Sequence, residues 1–187
     1  MLETTDDKNL IQQYLKGDEK SLEVLIARYL KPIYSFVYKN VGNQANAEDM
    51  TQEVFIKVWK NIKKFDQNKN FKPWIFQISK NASIDFLRKK KSIPFSRFEN
   101  EKGQNALVDN IAAAPSNLIE RFSDKKVLAA ALHGLPKKEQ KIIDLRHNYG
   151  LSFKEIAEVF DESINTVKSR YRRTLANMKK NISKKAT

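Results

Sequence analysis

The sequence predicts an all-helical protein made of two small helical domains joined by a flexible linker. Three observations carry that expectation. Apolar residues recur at spacings of three and four along most of the 187 residues. Five glycines and five prolines are few for a chain of short strands and turns. One stretch, 94–122, breaks the helical period with Pro94, Gly103, Pro115, several asparagines and an AAAP run. It separates an N-terminal domain, 1–93, from a C-terminal domain, 123–187, and carries at most a helical turn near Ala106–Ile111.

In the first domain, residues 7–15 read as a short helix with Leu10, Ile11, Tyr14 and Leu15 apolar. Gly17-Asp18 ends it and starts a longer one, marked by Leu22, Leu25, Ile26, Tyr29, Ile33, Phe36 and Val37 through to about Val41. Pro32 falls inside that pattern and predicts a kink or local break, because proline lacks the helical N–H. A third helix is expected from Asn46, as N-cap, to Ile62. Met50, Val54, Val58 and Ile62 line its buried side, and Phe55 and Trp59 widen the stripe. Asp49, Gln52 and Glu53 stand at i, i+3 and i+4, so they share one exposed acidic patch. A solvated helix start explains such a patch in most proteins. In a chain this basic, it also suits a protein partner.

Residues 65–73 read as polar loop, and a further helix is expected from Trp74 to Lys90. Around the loop, Phe65, Phe71, Trp74 and Phe76 alternate with Lys63, Lys64, Lys69 and Lys72. Cations hold a nucleic-acid backbone and aromatic faces stack on unpaired bases, a combination suited to melted DNA. Trp74, Phe76 and Phe86 read as core, which leaves Phe65 as the stacking candidate. Gln77, Lys80, Asn81, Ile84 and Arg88 share a face of the following helix.

In the second domain, Val127, Leu128, Ala131, Leu132 and Leu135 form a stripe stopped by Pro136, and a helix follows from Lys137 to Asn148. Gly150 to Leu175 reads as two helices joined by a tight turn. Ser152 and Glu155 form a capping box, and Asp161-Glu162-Ser163 breaks the chain. Asp161 tolerates left-handed backbone and Ser163 caps the second helix. Ile164, Val167, Tyr171, Leu175 and Met178 are expected to face inward. Ser163 stands at the head of that helix, and Asn165, Thr166, Lys168, Ser169, Arg170, Arg172 and Arg173 form its polar, cationic face. This is a helix-turn-helix with a recognition helix suited to the major groove.

Charge supports two contacts with a polyanion. The formal net charge is +13, distributed as −2 over residues 1–50, +8 over 51–100, zero over 101–136 and +7 over 137–187. Zero cysteines exclude disulfides, Cys-based zinc sites and thiol chemistry. His133 and His147 have no carboxylate or histidine at ligand spacing, so neither a metal nor any other cofactor is expected. There is no phosphate loop or nucleophile elbow, and no enzymatic activity is expected. No apolar run approaches the ~18 residues of a membrane span, and the acidic N-terminus lacks a secretory core, so a cytoplasmic chain is expected.

Two residue sets together resemble one family. They are LSFKEIAEVFDESINTVKSRYRR, preceded by LPKKEQKIIDLR, and NAEDMTQEVFIKVWKNIKKF, followed by NFKPWIFQISKNASIDFLRKKK. In content, order and spacing they resemble the extracytoplasmic-function (group IV) sigma factors of bacterial RNA polymerase. The resemblance implies a non-catalytic initiation subunit with a sigma-2-like and a sigma-4-like domain. Its implied partners are the clamp of the core polymerase's largest subunit, the flap of the second-largest, duplex and melted promoter DNA, and an anti-sigma factor.

The resemblance also implies roles for individual residues. Asp49, Gln52 and Glu53 would dock on the clamp. The loop 65–72, with Phe65 stacking, would capture an unpaired base of the minus-ten element. Lys69, Lys72, Gln77, Lys80, Asn81 and Arg88 would contact nearby DNA. Ser163, Asn165, Thr166, Lys168, Ser169, Arg170, Arg172 and Arg173 would engage the minus-thirty-five element. The linker would run near the polymerase's active centre. Asp161 and Asn165 stand where many relatives carry glycine, which leaves the promoter sequence open. The competing reading is a LuxR-type regulator, whose output helix-turn-helix GLSFKEIAEVF also resembles. Such regulators usually begin with an α/β domain, and the N-terminal half here lacks strand alternation.

Overall fold

The structure, a computed structural model, describes residues 5–92 and 131–183. The chain divides into two compact units, Met1–Lys102 and Gly103–Thr187. The expected linker, its turn at 106–111 and the apolar pair Val127 and Leu128 lie outside the described residues. All regular structure among the described residues is helical.

The first unit holds α1 (Asp7–Leu15), α2 (Glu19–Val41), α3 (Gln44–Asn61) and α4 (Phe71–Ser92). Asp6 caps α1 and Asp18 caps α2, each carboxylate accepting a backbone N–H of the first turn. The core is built on a ladder of α2 side chains, Leu25, Tyr29, Ile33, Phe36 and Val37, two of which meet rings of α4. Phe36 meets Phe76 edge-on at 5.3 Å, and Tyr29 meets Phe71 edge-on at the same separation. Ser79 and Ser83 are buried in α4, and each hydroxyl donates to the carbonyl four residues back, at 2.7 and 2.8 Å.

Three sequence expectations change here. The helix runs unbroken through Pro32, because proline's fixed φ is itself helical and the flanking Tyr29, Ile33 and Phe36 are anchored in the core. The cap of α3 is Asn43, whose side chain accepts the N–H of Asn46 at 3.1 Å, so the helix starts at Gln44 and the expected cap, Asn46, lies in its first turn. The last helix starts at Phe71, three residues ahead of Trp74. Phe71 is pulled into the core against Tyr29, and Pro73 then falls in the first turn, where its missing N–H has no intrahelical partner to lose.

Helix α1 is tied down by one carboxylate. Asp7 Oδ1 accepts from Arg28 Nη1 at 2.5 Å and Oδ2 accepts from Tyr29 OH at 2.5 Å. Arg28 also donates from Nη2 to the Thr5 carbonyl at 2.6 Å.

The second unit holds α5 (Lys137–His147), α6 (Phe153–Phe160) and α7 (Ile164–Ser183). Gly150, at φ 65°, turns the chain out of α5 so that Leu151 N–H reaches the Leu145 carbonyl at 3.0 Å and the Leu151 side chain is buried. The capping box forms as expected: Glu155 N–H donates to Ser152 Oγ at 3.2 Å, and Ser152 N–H donates to Glu155 Oε2 at 2.7 Å. Asp161 takes the left-handed conformation at φ 54°, and Ser163 Oγ accepts the Thr166 N–H at 3.1 Å.

Burial on α7 corrects the expected inward stripe. Val167, Thr174 and Met178 are buried, whereas Ile164 and Leu175 are exposed. The repeat 167, 171, 174, 178 follows the helical period, and Leu175 stands one residue, about 100°, off it. Thr174 is accommodated because its hydroxyl donates to the Arg170 carbonyl at 2.8 Å.

Asp7→Ala removes the shared acceptor of Arg28 and Tyr29. It is expected to destabilise the first unit by about 1–2 kcal/mol, discounted for the partial exposure of the pair. Both tryptophans of the chain, Trp59 and Trp74, lie in this unit. Urea unfolding followed by tryptophan fluorescence therefore reads the effect, and an unchanged midpoint would refute it.

Candidate functional site

Three surfaces carry the residues singled out from sequence, two on the first unit and one on the second. Helix α3 has Asp49, Gln52 and Glu53 exposed on one face, as their spacing requires. The same face continues into Ile56, 50% exposed, and Trp59, 56% exposed. Trp59 does not widen the buried stripe as expected. It follows Val58, a core residue, but stands about 100° round the helix, past the half-buried Phe55. The result is an acidic head followed by an apolar foot. An exposed aromatic beside charged side chains has the composition that suits a protein partner. The spacing from Asp49 to Ile56, seven residues, would have extended the patch in the sequence.

Next to this face, and joined to it by the Glu53–Lys57 ion pair at 2.6 Å, α3 faces α4 across an open groove of about 450 Å³, lined by Lys57, Asn61, Lys64, Trp74, Ile78 and Asn81. Here the structure exchanges the roles expected of two aromatics. Phe65 is 8% exposed, packed 4.8 Å from Trp74 and 5.8 Å from Phe71 between ring centroids. Trp74 is half-buried and forms a wall of the groove. Phe65 is drawn in because the segment around it is anchored: Asp66 accepts the Asn68 N–H at 3.0 Å, and Gln67 accepts from Gln12 at 3.3 Å.

The groove brings together two ammonium groups, two amides and an indole face, which can hold a phosphate, hydrogen-bond a base edge and stack on a base. Of the expected minus-ten residues, only Asn81 lines it. Gln77 and Lys80 are half-buried on α4, and Arg88 is exposed with a loose contact to Asp85 at 3.9 Å. Lys69 is exposed just ahead of α4 and Lys72 half-buried in its first turn. Lys64 is one of the lysines that alternate with the aromatics in the sequence; Lys57 and Asn61 carry no such signal, because they come from α3 and reach the groove only through its packing on α4.

The third surface is α7. Asn165, Lys168, Ser169, Arg172 and Arg173 are exposed, and Asn165, Ser169 and Arg172 lie opposite the buried Val167, Tyr171 and Thr174 side. Ser163 and Thr166 are bonded to each other, hydroxyl to hydroxyl at 2.8 Å, and serve the helix start. Arg170 departs from the expected face: its guanidinium is held by Glu162 at 3.3 Å. The helix is braced from behind by His147, whose Nε2 lies 2.8 Å from Tyr171 OH, and by Phe153, edge-on to the Tyr171 ring at 5.1 Å. Among the described residues no group of three or more His, Asp or Glu could hold a metal ion. No helix among them is long and apolar enough to cross a membrane.

Comparison with known proteins bears on both units. The family model Sigma-70 region 2 matches residues 25–93, and the model Sigma-70, region 4 matches residues 125–178. The ECF RNA polymerase sigma factor SigW of Bacillus subtilis (strain 168) is 30% identical over 179 residues, spanning 94% of this chain and 96% of the relative. The ECF RNA polymerase sigma-E factor of Escherichia coli (strain K12) is 28% identical over 174 residues, 91% of each chain. Two solved structures share the fold. One is CnrH in complex with the cytosolic domain of CnrY, with a TM-score of 0.63 at 21% identity over 95% of this chain and 97% of that one. The other is the sigma factor RpoE in complex with the anti-sigma factor NepR from Bartonella quintana, with a TM-score of 0.64 at 21% identity over 88% and 98%. The LuxR-type alternative is not favoured, since the region 2 match occupies the half where such a regulator would carry its other domain.

Trp74→Ala is expected to weaken binding of a single-stranded DNA oligonucleotide by the ~1–3 kcal/mol of one lost base stack. Fluorescence anisotropy with a labelled oligonucleotide measures it, and equal affinities for variant and parent would remove Trp74 from the interface.

Proposed function

The chain belongs to the extracytoplasmic-function sigma factors of the sigma-70 family, and on that premise we propose how its surfaces divide the work of initiation. As a sigma factor it is a non-catalytic subunit that joins core RNA polymerase and directs it to promoter DNA. The finer assignments that follow are our reading. It is carried by one observation: an exposed acidic and apolar face of α3 adjoins, through the Glu53–Lys57 ion pair at 2.6 Å, an open groove lined by lysines, amides and an indole.

Asp49, Gln52 and Glu53, with Ile56 and Trp59, dock on the clamp of the largest subunit. The acidic head steers the approach and fixes register, while the exposed indole supplies the buried anchor that interfaces concentrate their energy on. The groove between α3 and α4 receives the minus-ten strand. Lys57, Lys64, Lys69, Lys72, Lys80 and Arg88 attract its backbone, Asn81 and Gln77 meet base edges, and an aromatic stacks on an unpaired base. In the free chain the accessible aromatic is Trp74. Phe65 lies beneath it, and we assign it support of the stacking face. Trapping one base offsets the few kcal/mol of unstacking and biases the duplex toward opening.

Helix α7 enters the major groove of the minus-thirty-five element. Asn165 and Ser169 face base edges, and Lys168, Arg172 and Arg173 meet phosphates or guanine. Residues 94–122 connect the two DNA contacts, and the second unit meets the flap of the second-largest subunit. The chain works in the cytoplasm. The solved RpoE is bound to an anti-sigma factor, and we extend a partner of that kind to this chain, covering its polymerase- and DNA-facing surfaces.

Reconstitution with bacterial core polymerase and a promoter library tests the whole reading: the chain should recruit core enzyme to a defined set of start sites, and failure to bind core or to select any promoter would refute it. Trp59→Ala is expected to weaken core binding by about 2 kcal/mol, measured by competition for core enzyme, without changing the affinity for single-stranded DNA. Asn165→Ala should lose discrimination at one base pair, about 1–3 kcal/mol. Arg173→Ala should instead weaken upstream binding uniformly across sequences. Footprinting of the selected promoters separates the two, and identical sequence preferences in parent and Asn165→Ala would exclude base readout by Asn165.

A further inference from the structure

Glu162 occupies the turn between α6 and α7, next to the left-handed Asp161. Its side chain is 17% exposed, and its Oε1 accepts from two cations. Lys138, from the first turn of α5, donates at 2.5 Å, and Arg170, from the middle of α7, donates from Nη2 at 3.3 Å. The Lys138 ammonium also lies 5.4 Å from the centroid of the Phe160 ring. On α7, Arg170 stands one residue past the exposed Ser169, about 100° round the helix and toward the turn. The contact is made through one oxygen only. Glu162 Oε2 and Arg170 Nε are both buried and have no hydrogen-bond partner.

A carboxylate and a phosphate offer a guanidinium the same planar pair of acceptor oxygens. A carboxylate placed within the protein therefore competes with DNA for that guanidinium. We propose that Glu162 stands in for a DNA phosphate: it holds and neutralises Arg170, and so sets how many backbone contacts the recognition helix makes. Glu162 is a positioning residue for the upstream contact, not a reader of sequence. Through Lys138 the same carboxylate also ties the start of α5 to the recognition helix. With the Nε–Oε2 pairing unmade, the hold is a single hydrogen bond, so removing the carboxylate charge suffices to free Arg170 for a phosphate. The inference rests on α7 being the helix that meets duplex DNA.

The test is equilibrium binding of the full chain, bound to core polymerase, to a promoter duplex recovered by selection with that holoenzyme, with salt varied between about 50 and 200 mM. Each phosphate contact contributes about 0.9 to the slope of log affinity against log salt. Glu162→Gln is expected to steepen the slope by about 0.9. Glu158→Gln removes the same charge from an exposed position on α6 and is expected to leave the slope as it is. The gain should vanish in the double variant Glu162→Gln, Arg170→Gln. An unchanged slope in Glu162→Gln, or a gain that survives in the double variant, overturns the proposal. Should Glu162→Gln fail to fold, the parent chain decides by NMR. On adding duplex, the Arg170 Nε–Hε resonance should move less than those of Arg172 and Arg173, and an equal shift overturns the idea. Parent holoenzyme whose affinity and salt slope are unchanged by Arg172→Ala together with Arg173→Ala would instead count against the reading of α7.

Discussion

A helix of 3.6 residues per turn can press only one stripe into a core, and in the first unit that stripe is set by aromatics meeting edge-on. Tyr29 and Phe36 on α2 engage Phe71 and Phe76 on α4. With these rings in place, α2 continues without a break through Pro32 and α4 begins at Phe71. Phe65 is swept beneath Trp74 by the same packing. The two surfaces we assign to partners lie off that stripe: the acidic and apolar face of α3 and, next to it, the cationic groove.

The charge distribution follows the same division. The acidic residues Asp49 and Glu53 sit where α3 meets water on its outer face, and Glu53 holds Lys57 at 2.6 Å on the way to the groove. The cations gather where a polyanion would lie. In a chain of net charge +13, such an acidic face repels a polyanion, which is why we assign it to protein and not to DNA. The second unit repeats the arrangement on a smaller scale. Its cations cover α7, and one acidic group behind them, Glu162, is turned inward between Lys138 and Arg170.

Local signals with a single candidate are legible in the sequence. The Ser152–Glu155 capping box, the left-handed Asp161 and the Ser163 cap each depend on residues within three positions of one another, and each formed as the sequence implied. Where two candidates of the same kind compete at the same range, the sequence does not choose between them. Asn43 was passed over for Asn46 because both are good caps, and only the backbone shows which side chain reaches a free N–H. Leu175 was assigned inward by its type. Thr174 takes that place because the helical period favours its position and its hydroxyl is satisfied by the Arg170 carbonyl.

The sequence by itself determined the helical class, the helix-turn-helix, the two basic regions and the resemblance to sigma factors, because these rest on spacing and composition along the chain. Only the tertiary structure decided which aromatic faces solvent, which arginine is already held, and which residues of α3 join α4 to line a groove. Those outcomes turn on contacts between residues far apart in the chain, Gln12 with Gln67 and Lys138 with Glu162 among them, and periodicity within one helix carries no information about its neighbour. Phe65 and Trp74 are both aromatic beside lysines, and what separates them is the position of a second helix.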